Sequence, residues 1–338
     1  ILRIPFIHDS KGYRGRPVRT GVSLLKTEIL VQEAIESLQS QIDDTAIIAC
    51  SGGIDSTVAA VLAHRAVGSL LHCVYVDTGL MRKDESEEVS SMFSELGIKL
   101  KTVDASERFF SSLSSVTDPE DKRKKIGEQF IRVFEEEQSG CGAKFLVQGT
   151  IAPDWIESGG DSRDVIKSHH NVGGLPDDVD LEIVEPLREF YKDEVRAIAR
   201  DLGINSSERQ PFPGPGLAVR VLGEVTPERV ESCREACHIV ETRINEAASQ
   251  GRCELPWQFF AALLPVRSVG VHGDTRVHGE TVVVRAVTSL DGMSAKYSPL
   301  PQDLLAEIST EITNSLKGEV NRVVYDITHK PPGTIEWE

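Results

Sequence analysis

The stretch Ser51-Gly52-Gly53-Ile54-Asp55-Ser56-Thr57 restricts what this chain can fold into more than any other segment, because of what flanks it. Before it runs Ala46-Ile47-Ile48-Ala49-Cys50, short and continuously apolar, the pattern of a strand buried on both faces. After it, Thr57 to Val67 is rich in Ala, Val and Leu and reads as helix, and Leu70 to Val76 is a second apolar run that ends at Asp77. Strand, glycine turn, helix and strand at this spacing make a right-handed βαβ unit. The two glycines let the turn close tightly and aim successive N–H groups at one point. Ser51, Ser56 and Thr57 add hydroxyls, and the helix start adds the positive end of its dipole. Such a turn is a cradle for phosphate. Asp55 would repel a bare phosphate, so it is expected either to cap the helix or to face a phosphate-bound Mg²⁺. None of the 27 glycines is followed by lysine, which excludes a Walker A loop. No Gly-x-Gly-x-x-Gly occurs either, which leaves a dinucleotide site unsupported.

The alternation continues with a helix near Glu85–Leu96, a strand at Lys99–Val103, a helix near Lys125–Gln138, a strand at Lys144–Gln148 and a helix at Lys192–Leu202. It implies an α/β fold with a doubly wound parallel sheet, whose ligands bind at the carboxyl ends of the strands. Residues 1–21 are basic, lack apolar periodicity and read as an arm; residues 154–180 are polar and read as a long functional loop. Pro211-Phe212-Pro213-Gly214-Pro215-Gly216 has the punctuation of a boundary. Beyond it, a helix near Pro227–Ala247, strands at Ser268–Val271 and Thr281–Val287, a helix through Leu304 and Ile312 and a strand at Val320–Ile327 suggest a smaller α+β unit. The expected division is 1–21, 22–212 and 213–338. A length of 338 residues fits more than one domain.

Lys and Arg number 37 against 53 Asp and Glu, and the formal charge of −16 disfavours sequence-independent binding to nucleic acid or an anionic membrane. No apolar run is long enough to span a bilayer, and the start lacks the apolar core of a signal peptide, so a cytoplasmic protein is expected. The first residue is Ile, which suggests that something upstream is missing. Six cysteines without dense, regular spacing read as free thiols. Cys233, Cys237, His238 and Cys253 could be imagined around a zinc, but Cys233 and Cys237 sit four apart in a helical segment, an unusual spacing for a closed site.

Ser51 to Ser56 resembles the Ser-Gly-Gly-x-Asp-Ser signature of the ATP pyrophosphatase superfamily, whose members adenylate a substrate and hold the leaving pyrophosphate in this loop. Several further stretches resemble the GMP synthetase family within it. They are Asp118-Pro119-Glu120-Asp121-Lys122-Arg123-Lys124-Lys125-Ile126-Gly127, Gln148 to Asp154, Ile166 to Pro176, Pro211 to Arg220, and Tyr325-Asp326-Ile327 with Lys330-Pro331-Pro332-Gly333-Thr334-Ile335-Glu336-Trp337-Glu338. Ala152 and Trp155 look more like the archaeal, separately encoded synthetase subunit. Gly333 departs from the family, which often has Ala there. Superfamily rivals are NAD synthesis and tRNA thiolation, the latter lacking a Cys pair and a basic RNA surface here. A non-enzymatic rival is a nucleotide-sensing subunit that binds ATP without releasing pyrophosphate.

The resemblance implies a fold of the adenine nucleotide alpha hydrolase-like type with a C-terminal dimerisation domain. It implies adenylation of xanthosine 5′-monophosphate (XMP) at O2 by ATP, then amination by ammonia to give GMP and AMP. Ammonia would come from a separate glutamine amidotransferase subunit or a missing upstream domain, and the chain would be a homodimer. Ser51, Gly52, Gly53, Ile54, Asp55, Ser56 and Thr57 would hold ATP and pyrophosphate, with Val76, Asp77 and Gly79 beside the adenosine. Asp55 and Asp154 would hold Mg²⁺. Lys122 and Arg123 would be contacts from a mobile lid, and Lys167 would help close over the intermediate beside His169 and Asn171. Gly149, Thr150 and Pro153 would line the XMP base, and Arg220, Lys330, Thr334, Ile335 and Glu336 would meet its phosphate.

Overall fold

The structure, a computed structural model, describes residues 24–152, 181–204, 210–290 and 292–338. Helix α1 (Leu24–Gln41) leads into β1 (Ala46–Ala49), α2 (Ile54–Val67) and β2 (Leu71–Asp77). Then come α3 (Glu85–Glu95), β3 (Leu100–Asp104), α4 (Ser106–Leu113), α5 (Pro119–Cys141), β4 (Phe145–Val147), β5 (Glu182–Val184) and α6 (Lys192–Asp201). The five strands form one parallel sheet in the order β3-β2-β1-β4-β5. The order reverses between β1 and β4, which opens a crevice at the carboxyl end of β1.

Successive residues of a strand point to opposite faces, and the apolar runs use both. Ile48 and Tyr75 pack with Val58 to Ala63 of α2, Phe93 of α3 and Ile198 of α6. Ile47, Val74 and Val76 face the other way, with Phe109 of α4 and Val133 of α5. The sheet is therefore doubly wound, in the α/β class expected. That second face continues without a break into the C-terminal unit, through Leu217, Val240 and Phe260.

The C-terminal unit contains α7 (Pro227–Ser249), β6 (Gln258–His272), β7 (Thr275–Thr288), β8 (Lys296–Tyr297), α8 (Gln302–Ser315) and β9 (Val320–Tyr325). β7 is central, antiparallel to β6 and β8 and parallel to β9. Two strands are longer than the sequence reading allows: β6 starts at Gln258 and includes the apolar run Phe259 to Leu264, and β7 starts at Thr275. The proposed boundary after 212 falls in the irregular segment between the two sheets. Among the described residues no helix is long and apolar enough to cross a membrane. All six cysteines are free thiols, and among the described residues no cluster of three or more His, Cys, Asp or Glu gathers that could hold a metal ion. The arm at 1–21 lies outside the described residues.

Candidate active site

The turn after β1 is wired from within. Ser51 Oγ accepts from Gly53 N at 3.3 Å and lies 3.0 Å from Ser56 Oγ, while the Ser56 and Thr57 hydroxyls donate to Gly53 O at 3.0 and 2.9 Å. Gly52 has φ +75°, and a Cβ there would stand 2.5 Å from Val89 Cγ2, so only glycine fits between the turn and α3. The first N–H groups of α2 point out of the turn with no helical acceptor, which is what an anion needs.

Asp55 sits in the first turn of α2. Its Oδ2 is paired with Lys192 Nζ at the start of α6, while its Oδ1 is buried with no partner among the described residues. Glu194 Oε2 accepts from Tyr191 N at 3.1 Å and steadies the helix start that presents Lys192. Sequence reasoning missed Lys192. Its position at the first turn of a helix after Pro186 was a weak signal, because the carboxylate it meets lies 137 residues away.

Gly149, at the carboxyl end of β4, lies flat against the start of α2. A Cβ would come within 3.0 Å of Asp55 C and Ser56 N, so β4 can approach the turn only with glycine there. Asp77 shapes the turn at the end of β2: Oδ1 accepts from Gly79 N at 2.8 Å and Oδ2 from Ser86 Oγ at 2.6 Å. Thr78 is buried, and its Oγ1 accepts from Leu80 N at 3.2 Å. Three of the expected strand-end segments, around Ser51, Asp77 and Gly149, thus meet at one edge of the sheet. Pro153, Asp154, Lys167, His169 and Asn171 lie outside the described residues.

The cationic run at the start of α5 departs from expectation. Asp118 caps the helix through Glu120 N and Asp121 N at 2.9 and 3.1 Å, and Pro119 opens it. Four residues before the buried Ile126, Lys122 points inward and is fully buried. Its ammonium donates to Ala218 O at 3.2 Å and Val221 O at 2.8 Å and pairs with the Glu338 carboxylate. Burial pushes its pKa below the ordinary lysine value despite Glu338. The mobile lid contact expected of Lys122 is corrected to a buried fastening. Arg123, facing out, pairs with Glu120 at 2.5 Å.

Arg220 is corrected in the same way. It is fully buried, donates through Nε and Nη2 to Glu336 at 3.0 and 2.8 Å, and lies over the rings of Phe260 and Phe212 at 4.2 and 5.1 Å. Burial opposes its charge, but Glu336 outweighs that and holds the guanidinium above its ordinary pKa. A guanidinium so occupied positions Glu336 and does not reach a phosphate. Gln258, also buried, donates Nε2 to Glu336 Oε1 at 2.8 Å.

The terminal segment follows a second buried arginine that sequence reasoning missed. Arg285, near the carboxyl end of β7, donates to the carbonyls of Thr328, Thr334 and Ile335 at 2.7, 2.7 and 3.1 Å and pairs with Asp326 at 3.0 Å. A lone Arg inside Val282-Val283-Val284-Arg285-Ala286-Val287 was the available signal. Lys330 Nζ donates to Gly292 O at 2.8 Å, and the Thr334 hydroxyl turns back to Glu336 O. The remaining expected phosphate contacts, Lys330, Thr334, Ile335 and Glu336, therefore lie on one strap, with its carbonyls turned toward Arg285.

Similarity to known proteins agrees with this layout. The family model described as GMP synthase C terminal domain matches residues 245–337, and that described as NAD synthase matches 27–132, within the parallel-sheet unit. A GMP synthase (glutamine-hydrolysing) subunit of Thermoplasma acidophilum is 51% identical over 314 residues, 93% of this chain and 100% of that protein. The subunit of the same name from Methanopyrus kandleri is 56% identical over 312 residues, 91% of this chain and 98% of its own length. The GMP synthase (glutamine-hydrolysing) of Clostridium tetani is 53% identical over 312 residues, and there the matched part is 60% of the protein. With relatives more than 50% identical over more than nine-tenths of its length, the chain belongs to the GMP synthase family.

Proposed function

We propose that this chain makes GMP from XMP in two steps at the edge of the parallel sheet. The 2-oxo oxygen of XMP attacks the α-phosphorus of ATP, and the Pα–O bond to pyrophosphate breaks. Ammonia then attacks C2 of the adenylyl-XMP, AMP leaves, and one proton is released. The N–H groups and hydroxyls of Ser51 to Thr57 hold the departing pyrophosphate, and Lys192 stands ready to exchange Asp55 for phosphate oxygen. Positioning and electrostatic stabilisation do most of the work in such transfers. The orphaned Asp55 Oδ1 fits a Mg²⁺ ligand, and Asp154 is the proposed second ligand. When bound, Mg²⁺ supplies positive charge to the phosphates.

The adenosine lies over the end of β2, at Val76, Asp77 and Gly79. XMP lies beside Gly149, Thr150 and Pro153, with Lys330, Thr334, Ile335 and Glu336 toward its phosphate. Arg123 and Lys167 close over the two nucleotides. Ammonia comes from a separate glutamine amidotransferase subunit, and the chain is a homodimer through residues 213–338.

The observation that carries this reading is the anion-receiving turn with an inward carboxylate, one of whose oxygens has no partner among the described residues. Purified chain given ATP, Mg²⁺, XMP and ammonium should yield GMP, AMP and pyrophosphate, and an absence of nucleotide turnover would overturn the reading. Glutamine should replace ammonium only when the amidotransferase subunit is added. Asp55→Asn should abolish turnover without unfolding the chain.

A further inference from the structure

The backbone at the end of β2 is shaped by the C-terminal unit. Three consecutive carbonyls, of Gly79, Leu80 and Met81, are all received by residues beyond 212. Arg234 of α7 donates Nη2 to Gly79 O at 2.6 Å and Nε to Met81 O at 3.0 Å. Leu217 N donates to Leu80 O at 2.7 Å. Next to them Lys83 Nζ meets Glu235 at 2.6 Å, again on α7. From the other side, Asp77 and Thr78 hold the N–H groups of Gly79 and Leu80. The turn is thus held on its N–H side by its own strand and on its carbonyl side by a helix 155 residues further on.

We infer that Arg234 is a positioning residue for ATP: by clamping the carbonyls of Gly79 and Met81, it sets the backbone at the end of β2 against which the adenosine packs. The inference rests on the proposed placement of ATP over Val76 to Gly79. A guanidinium suits the task because two nitrogens of one rigid plane reach two carbonyls at once. The two carbonyls are part-buried, so without the fork they lose their shared donor and the turn is free to rotate toward solvent. That rotation moves the Asp77 and Gly79 backbone, while the strap that carries Lys330 and Glu336 is held separately by Arg285 and Arg220.

The test is steady-state kinetics of the full chain with ammonium as nitrogen donor, with ATP and XMP varied in turn. Arg234→Gln, which cannot span both carbonyls, is expected to raise KM for ATP about tenfold, the equivalent of one charge-assisted hydrogen bond. KM for XMP should stay within about twofold, and kcat at saturating ATP should be largely kept. Arg234→Lys, which keeps the charge and one donor, should fall between, and it carries the same test if Arg234→Gln does not fold. Arg243→Gln, on the same helix but paired outward with Glu311 and Glu246, should match the unaltered protein. An unchanged KM for ATP in folded Arg234 variants overturns the inference. So does an equal rise in KM for ATP and XMP, which would mean general loosening between the two units. If the unaltered protein shows no ATP-dependent turnover of XMP, the proposed function itself fails, an outcome separate from either of these.

Discussion

Arg220 holds both carboxylate oxygens of Glu336, through Nε at 3.0 Å and Nη2 at 2.8 Å, from a position where no water reaches it. Removing one member of such a pair leaves the other charge without compensation, which costs about 3–5 kcal/mol. Arg220→Met should lower the urea midpoint accordingly, and in the protein that remains folded KM for XMP should rise more than KM for ATP. A variant with an unchanged midpoint would show that the pair does not anchor the strap.

Lys122 and Glu338 make a second buried pair, but an unequal one. The ammonium also has the carbonyls of Ala218 and Val221, at 3.2 and 2.8 Å. Lys122→Met deprives three acceptors of their donor, whereas Glu338→Gln leaves the lysine two carbonyls and an amide oxygen. The lysine substitution should therefore destabilise more. The double variant should lose less than the sum of the two, by about 0.5–3 kcal/mol in a denaturation cycle.

Gly149→Ala places a methyl 3.0 Å from backbone atoms of Asp55 and Ser56, which cannot swing aside as a side chain can. The start of α2 must shift, and with it the N–H groups of the phosphate turn. Turnover should fall by about 10²-fold, as is common when groups around a reacting centre move by an ångström, while the far-ultraviolet circular dichroism stays that of the unaltered chain. A variant with full activity would show that the turn tolerates displacement.

Glu241 of α7 is half-buried facing Arg82, Glu85, Arg220 and His238, and desolvation raises its carboxyl pKa above the ordinary 4.5 in spite of the two arginines. An acid with a raised folded pKa binds its proton more readily when folded. The stability it brings is complete below about 4.5 and is lost as pH climbs through the raised value. Glu241→Gln resembles the protonated form at every pH. Its melting temperature should match that of the unaltered chain near pH 4.5 and exceed it at pH 7.5. The reverse order would mean that the arginines outweigh desolvation.

The phosphate turn could be read from sequence because everything that defines it is local: an apolar strand, two glycines and a helix start within about twenty residues. The alternation around it sufficed for the α/β class. Lys192, Gln258, Arg234 and Arg285 could not be read that way, since each acts on groups more than 40 residues distant. Lys122 was misread for a different reason. Four consecutive cations suggest solvent, yet a helix turns about 100° per residue, so one of the four must share the stripe of Ile126 and Val133. In β6 the run Phe259 to Leu264 lacks the two-residue alternation that marks a half-exposed strand, because Phe259 to Leu263 are buried without interruption.

Translation adds residues in one direction, and that gives the buried pairs a further meaning. Lys122 leaves the ribosome 216 residues before Glu338, and Arg220 leaves 116 before Glu336. In a nascent chain that stops short of residue 336, both cations still lack their carboxylates. Both buried pairs can therefore close only after residues 336 and 338 have been made.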